Sequence, residues 1–183
     1  GDPPPLVLAL HGAGGNEHLF VDGHAGGRLV RLAEREGFLL VAVPTTSLAV
    51  GGSLPALLDA IDEVQRFDRG RVLLVGHSLG AMTAGAQAGL HPGRVAAAAL
   101  IAGGPTPRFE DPAAAPPLLY FGAARDTVVP AARVERNAAL AEASGADVEY
   151  RLVPEVGHLL VVEEVLDEAV DWLLEQAEQA EGR

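Results

Sequence analysis

A serine between two glycines is the residue of this sequence best placed to do chemistry. The pentapeptide Gly76-His77-Ser78-Leu79-Gly80 follows an apolar run, Arg71–Val75, and precedes an Ala-rich stretch without proline, Leu79–Leu90. This G-x-S-x-G spacing predicts a sharp turn from a strand into a helix, which exposes the serine hydroxyl as a nucleophile. A chain with 22 glycines contains such pentapeptides by chance, so the prediction depends on the strand before it and the helix after it.

A serine nucleophile needs a base, and six histidines are available. His158 follows the last predicted strand, in a loop from which its ring can reach over Ser78, and we interpret it as the base. His11 ends a strand before a Gly-rich loop, and we expect it to shape that loop through hydrogen bonds. His77 is adjacent to the serine in sequence, so its side chain is expected to point away from that of the serine. The remaining three occupy polar loops or helix ends and are expected on the surface: His18, His24 and His91.

The base in turn needs a carboxylate that fixes its tautomer and stabilises the imidazolium. Asp126 follows the fifth predicted strand and precedes His158, which gives the chain order Ser, Asp, His. Glu155 is the second candidate because it is three residues from His158. Asp147 begins a strand and therefore belongs at the opposite edge of the sheet. Two further acids lie in a Pro- and Ala-rich loop that would hold them less rigidly: Glu110 and Asp111.

A site for acyl transfer also needs two N–H groups directed at the oxyanion. The backbone N–H of Leu79 is one, because it starts the helix after the serine. The other is expected from Gly12–Gly14, where small residues allow the backbone to approach a substrate; Ala13 is favoured and Gly14 is next. The same loop lacks the lysine and the glycine spacing of nucleotide-binding loops, which argues against nucleotide binding.

Hydrophobic periodicity predicts six strands alternating with helices. This order is typical of the α/β class: a doubly wound, mainly parallel six-stranded sheet with helices on both faces, formed by a single domain over residues 1–183. In such sheets ligands bind beyond the carboxyl ends of the strands, and the candidate residues all follow strands. The predicted strands are Leu6–Leu10, Phe38–Val43, Arg71–Val75, Val95–Ala102, Leu118–Phe121 and Val148–Val153, and the helices cover residues 27–36, 53–64, 79–90, 130–144 and 161–177.

Composition excludes several kinds of chemistry. The 183 residues include no cysteine and no lysine, so the sequence provides no thiolate nucleophile, disulfide or Schiff-base lysine, and no metal or cofactor site is predicted. The net charge of −12 argues against nucleic acid and anionic membranes as partners. No apolar run is long enough for membrane insertion. The chain begins at Gly1 without a methionine, which suggests trimming; we expect a cytoplasmic protein, with secretion left open.

Four motifs in this order resemble the α/β-hydrolase superfamily, and most resemble the phospholipase/carboxylesterase and dienelactone-hydrolase-like serine esterases. The resemblance covers nearly the whole chain. It implies Ser78 as nucleophile, Asp126 as acid, His158 as base, and Ala13 and Leu79 as oxyanion donors. The motifs are the H-G-A-G-G loop His11–Gly15, the G-H-S-L-G turn Gly76–Gly80, the A-R-D-T-V-V-P segment Ala124–Pro130 and the V-G-H segment Val156–His158.

The resemblance implies a serine hydrolase that cleaves short-chain carboxylic esters through an acyl-enzyme. A thioesterase or amidase with the same triad is the alternative, and so is a weakly active designed or reconstructed scaffold. A binding protein of the same fold is less expected because no triad member is missing. The segment Gly103–Pro117 is too short for a helical cap, so we expect an open site. The residues expected to bind substrate are Gly12, Gly14, Leu48, Val50, Pro105 and Leu159.

The resemblance also predicts how the sheet ends. Relatives have further strands before Leu6–Leu10, and their absence would leave Phe38–Val43 at an open, apolar edge. Such an edge invites pairing with another strand. A homodimer formed through this edge is therefore expected.

Overall fold

The protein forms one six-stranded sheet in which every strand is parallel to its neighbours. The computed structural model describes residues 2–49, 52–105, 109 and 114–181. The sheet order is β2-β1-β3-β4-β5-β6. The strands are β1 (Leu6–Leu10), β2 (Leu39–Val43), β3 (Val72–His77), β4 (Ala97–Ile101), β5 (Leu118–Ala123) and β6 (Val148–Val153), and the α-helices are α1 (Arg28–Glu36), α2 (Thr46–Ala49), α3 (Leu54–Val64), α4 (Leu79–Leu90), α5 (Ala131–Ala143) and α6 (Val161–Glu181).

The strand order reverses beside β1. The chain passes from β1 outward to β2 and then returns to place β3 on the other side of β1, so that Leu6 is in register with both Leu39 and Val72. In open parallel sheets such a reversal leaves a crevice at the carboxyl ends of the two central strands. The loop after β1 and the turn after β3 both open into this crevice, which brings the two predicted motifs together.

Side chains of the central strands alternate between two hydrophobic cores, one on each face of the sheet. Val7 and Val75 belong to the core covered by α1 and α6, whereas Leu8 and Leu74 belong to the core covered by α3, α4 and α5. All four of these side chains are inaccessible to solvent. Burial on both faces explains why β1 and β3 read as uninterrupted apolar runs rather than as alternating patterns.

The prediction of an edge strand near Phe38–Val43 is confirmed, since β2 pairs only with β1 within the described residues. The apolar run suggests a strand buried on both faces, and the structure corrects this: Leu39–Val43 are half-buried, because no described strand covers the outer side of β2, and only Phe38 just before it is buried. The dimer expected through this edge stays a prediction. At the other edge, β6 has no fully buried residue, and its Glu149 and Arg151 form an ion pair.

Several short helical segments were not predicted from the sequence, among them a 3₁₀ turn at Pro92–Arg94. The short helix α2 follows β2 directly, and a turn of π-helix and a turn of 3₁₀-helix occupy Leu19–Gly23 and His24–Gly26, where a polar loop was expected. Of the segment Gly103–Pro117, residues 106–108 and 110–113 lie outside the described residues, and with them Glu110 and Asp111; the missing cap therefore remains an expectation. Among the described helices, none has the length and hydropathy needed to cross a bilayer.

Candidate active site

Ser78 occupies the turn between β3 and α4 in a conformation that L-residues rarely adopt. Its φ is 54° and its ψ is −112°, outside the regions favoured for residues with a Cβ. Two hydrogen bonds hold the backbone in place: the Ser78 N–H donates to the Ile101 carbonyl at 2.9 Å, and the Ser78 carbonyl accepts from Met82 N–H at 3.0 Å. The strain is thus maintained by neighbouring strand and helix, as expected at a functional turn.

The glycines of the pentapeptide are needed for close packing. A Cβ on Gly76 would overlap the backbone of Gly80, and a Cβ on Gly80 would overlap the carbonyl of Leu10. Gly103 has the same role across the sheet, since its Cβ would lie 2.6 Å from the Ser78 carbonyl oxygen. The turn that carries Ser78 therefore packs closely against β1 and β4, because Gly76, Gly80 and Gly103 have no side chain.

A chain of two hydrogen bonds links Ser78 to a buried carboxylate through His158. The His158 Nε2 lies 2.9 Å from the Ser78 Oγ, and His158 Nδ1 lies 2.6 Å from the Asp126 Oδ2. The Asp126 side chain is fully buried, and that of His158 is 13% exposed. The three predicted residues are thus brought together in a triad-like arrangement.

Asp126 is oriented by its own loop. Its Oδ1 accepts hydrogen bonds from the backbone N–H groups of Val128 and Val129, both at 2.8 Å, which leaves Oδ2 for the histidine. The second candidate, Glu155, forms an ion pair with Arg125 and has a side chain that is 74% exposed. Glu155 therefore makes no hydrogen bond to His158.

The two expected oxyanion donors belong to residues next to the serine. Ala13 and Gly12 line the cavity that contains Ser78, and Leu79 is the first residue of α4, so its N–H has no acceptor within the helix. Gly14 has a φ of +78° and is not among the residues that line this cavity; its part in substrate binding stays a prediction. Among the described residues, the structure gives no hydrogen bond for the Ala13 N–H.

His11 has the role expected of it. Its Nδ1–H donates to the Gly12 carbonyl at 2.8 Å, and its Nε2 accepts from the Thr45 N–H at 3.1 Å. The Thr45 hydroxyl returns a hydrogen bond to the His11 carbonyl at 2.8 Å. The imidazole thus ties the loop after β1 to the loop after β2.

His77 lies closer to the site than expected. Its ring lines the cavity of Ser78 instead of pointing away from it, with its centroid 4.8 Å from that of the His158 ring. The His77 Nε2–H donates to the His158 carbonyl oxygen at 2.8 Å, and so fixes the loop that carries this histidine. Burial lowers the pKa of His77 to about 4, so the ring is neutral near pH 7.

His24 is buried rather than on the surface, and this is the main correction to the sequence analysis. It is 8% exposed, and its ring packs edge-on against Phe20 and His77 at 5.1 and 6.1 Å between centroids. Burial lowers its pKa, with the Glu163 carboxylate acting in the opposite direction. Leu19, Phe20 and Val21, three consecutive apolar residues within an otherwise polar stretch, are the signal that could have indicated a buried turn here.

The cavity of Ser78 has a volume of about 320 Å³. Leu159 lines it as predicted, and Leu160 was missed. Three imidazoles, one carboxylate and the serine hydroxyl supply its polar groups. The complete lining is Gly12, Ala13, Leu19, Gly23, His24, His77, Ser78, His158, Leu159, Leu160 and Glu163.

Two of the predicted pocket walls lie elsewhere. Pro105 packs against Gly85 and accepts a hydrogen bond from the Tyr120 hydroxyl at 3.0 Å, away from the cavity. Leu48 is buried and lines a separate surface groove along α4, and Val50 lies outside the described residues. We call this groove the α4 groove; it is formed by Leu48, Ala49, Gly52, Leu79, Met82, Thr83, Ala86, Gln87 and Leu90.

No metal site accompanies these residues: within the described parts of the chain, no group of three or more His, Asp or Glu side chains is arranged to hold a metal ion. The arrangement instead combines a strained serine, a histidine and a buried carboxylate at the carboxyl ends of parallel strands.

Sequence comparison identifies the class. The profile described as "Alpha/beta hydrolase family" matches residues 6–151, so the chain belongs to the α/β-hydrolase family. No curated protein matches the sequence.

Solved structures with the same fold include several esterases. A thermostable esterase has 23% identity and a TM-score of 0.73 over 95% of this chain and 55% of its own. Esterase PE8 has 21% identity and a TM-score of 0.70, covering 96% of this chain and 94% of its own. An S-formylglutathione hydrolase from Agrobacterium tumefaciens has 17% identity and a TM-score of 0.70, covering 96% and 85%. At these identities the likeness shows the fold; the chain spans just over half the length of the thermostable esterase.

Proposed function

We propose that the protein is a serine hydrolase that cleaves small carboxylic esters through an acyl-enzyme intermediate, with Ser78, His158 and Asp126 as its catalytic triad. The observation that carries the proposal is the continuous hydrogen-bond chain from a strained, cavity-lining serine to a fully buried aspartate. The esterase-type structures that share the fold agree with it.

In the first half of the reaction, Ser78 Oγ attacks the ester carbonyl and its proton passes to His158 Nε2. The imidazolium formed keeps its Nδ1–H on Asp126, whose charge stabilises it. The N–H groups of Ala13 and Leu79 donate hydrogen bonds to the carbonyl oxygen and so stabilise the negative charge that develops on it. The proton on Nε2 is transferred to the alkoxide oxygen as the alcohol leaves, and an acyl-serine remains.

Water completes the cycle. His158 accepts a proton from a water molecule, which adds to the acyl carbon, and returns that proton to Ser78 Oγ as the acid is released. The cavity of about 320 Å³ has exposed leucines, Leu159 and Leu160, on its outer side, which leaves the acyl-enzyme accessible to water.

The experiment is hydrolysis of 4-nitrophenyl acetate and butyrate by the wild type and by Ser78→Ala. Loss of a triad nucleophile leaves only the contribution of binding and the oxyanion site, so kcat should fall by more than about 10³-fold. Ser144→Ala is the matched control, because the Ser144 hydroxyl bonds to Ala141 at the end of α5, and its activity should be unchanged. A fluorophosphonate should add one adduct, on the peptide containing Ser78.

Thioesters carry the same acyl chemistry with a different leaving group, so butyryl thioesters should be tested in parallel. A kcat/KM for the thioester well above that of the matched ester would show that the protein is a thioesterase rather than an esterase. Labelling of another residue, or an active Ser78→Ala variant, would refute the triad.

A further inference from the structure

One end of the Ser78 cavity carries a carboxylate that the proposed chemistry does not use. Glu163, in the first turn of α6, lines the cavity together with His24 and His158. A negative charge close to a reacting ester serves no step of acyl transfer, because the charge that develops there is itself negative. Its presence in the cavity wall calls for another explanation.

Within the described residues, no cationic side chain forms an ion pair with the Glu163 carboxylate. The neighbouring Arg28 is used elsewhere: it donates to the Glu163 carbonyl oxygen at 3.3 Å and pairs with the Asp167 carboxylate at 3.0 Å. The adjacent imidazoles do not neutralise the acid either, because burial lowers the pKa of both His24 and His77. This end of the cavity is therefore negatively charged near neutral pH.

The imidazole beside Glu163 does not occupy this acceptor. His24 is 8% exposed, and its Nε2 is buried, so that nitrogen does not face the open cavity. The Glu163 side chain, by contrast, is half-buried and lines the cavity. A cationic N–H group on a molecule in the cavity is the partner that such a carboxylate accepts most strongly.

We propose that Glu163 forms a subsite for a protonated amine, so that the enzyme acts on small esters bearing a cationic substituent in preference to neutral esters of the same shape. The inference rests on the proposed esterase function and adds its substrate class. The net charge of −12 acts in the same direction, because it attracts cations towards the protein as a whole.

The test compares two esters of the same shape, one cationic and one neutral. Each kcat/KM is taken relative to the rate constant for hydrolysis of that ester by hydroxide, because the ammonium group also makes the alcohol a better leaving group. In 2-(dimethylamino)ethyl butyrate, protonated at neutral pH, a dimethylammonium group replaces the isopropyl group of 3-methylbutyl butyrate. For the wild type, kcat/KM should be about fivefold higher for the cationic ester, the value of one partly solvated ion pair. Raising the salt concentration should reduce this ratio.

Glu163→Gln should bring the ratio close to one, because kcat/KM for the cationic ester falls more than kcat/KM for 3-methylbutyl butyrate. Glu164→Gln is the matched control: it removes the same charge from the adjacent residue, which is exposed and does not line the cavity, and it should keep the wild-type ratio. Equal rates for both esters in the wild type, or the same ratio in both glutamine variants, would overturn the subsite.

Binding separates this inference from the proposed function. The affinity of Ser78→Ala for each ester, measured by calorimetry, does not depend on turnover. If the wild type hydrolysed neither ester, the proposed function would fail, while tighter binding of the cationic ester to Ser78→Ala would still support the subsite. Equal affinities would refute it.

Discussion

Ser78 and Leu79 are adjacent in sequence, yet their side chains line two different concave regions. The Ser78 cavity, about 320 Å³, contains three imidazoles and a carboxylate. The α4 groove, about 390 Å³, is larger and mostly apolar. Its polar side chains donate to the backbone: the Thr83 hydroxyl donates to the Leu79 carbonyl, and Gln87 Nε2 donates to the Leu48 carbonyl, while Gln87 Oε1 is buried without a partner among the described residues.

The difference shows that volume does not identify the site in this fold. Both regions border the same turn, but only one joins the strained serine to groups that exchange protons. The chemistry of the lining side chains therefore separates a reacting cavity from a surface depression. Substitutions in the two regions should differ accordingly.

The largest effect is expected from Asp126→Asn. This change leaves the shape intact but removes the charge that holds the His158 tautomer, and kcat should fall by about 10⁴-fold. Because residues of one unit are not additive, the double variant with Ser78→Ala should be hardly worse than Ser78→Ala alone. Steady-state kinetics of the four proteins check this, and losses that multiply would show that Asp126 acts separately. Glu155→Gln removes the same negative charge from the exposed acid, and this variant should retain activity.

A smaller effect concerns stability and pH. The pKa of His77 is lowered from 6.5 to about 4 by burial, so the unfolded chain binds a proton more readily than the folded one. Protonation of His77 therefore does not affect the free energy of unfolding above pH 6.5. As the pH falls towards 4, it lowers the free energy of unfolding by about 3 kcal/mol. Urea unfolding of His77→Phe, which keeps a ring in the cavity wall, should show a correspondingly shallower loss over this window. Parallel curves for the two proteins would contradict the assignment.

Acyl-chain length should change the rate in smaller steps. Leu159 and Leu160 provide the apolar wall beside the serine but are 69% and 60% exposed, so the wall is short. We expect kcat/KM to rise from acetate to about butyrate or hexanoate, by about 1 kcal/mol of transition-state binding per added methylene, and then to level off. Leu160→Ala should move the plateau to shorter chains. A preference for long-chain esters, or a rate jump above their solubility limit, would argue against an open site.

The smallest effect is expected in the α4 groove. Met82 is 46% exposed, and Met82→Gln should change kcat/KM for acetate and butyrate esters by less than about twofold, because surface substitutions rarely matter by more than about 0.5 kcal/mol. Kinetics with both esters test this. A loss of kcat/KM that grows with acyl-chain length would show that the α4 groove, rather than the Ser78 cavity, binds the acyl group.

The sequence predicted those parts of the molecule that local patterns determine. Apolar runs placed the six strands, and the turn glycines placed Ser78, because a Cβ at Gly76 or Gly80 has no room. Asp126 and His158 followed from their positions after strands, since the carboxyl ends of parallel strands share one edge.

The walls of the cavity were harder to predict because they depend on which face a loop presents. His24 lies in a polar stretch, and its burial results from a tertiary contact with His77, which is 53 residues away in the chain. Leu48 was placed beside the serine, but the unpredicted helix α2 holds it in the core under the α4 groove. Loop side chains of this kind are positioned by packing rather than by propensity.

The strained serine also has a consequence for protein engineering. Ser78 is held exposed in a backbone conformation, φ 54° and ψ −112°, that costs about 1–3 kcal/mol of conformational energy. Glycine relieves that strain at a small cost in chain entropy. A screen that selected variants only for heat resistance would therefore retain Ser78→Gly, and would lose the nucleophile by improving the fold.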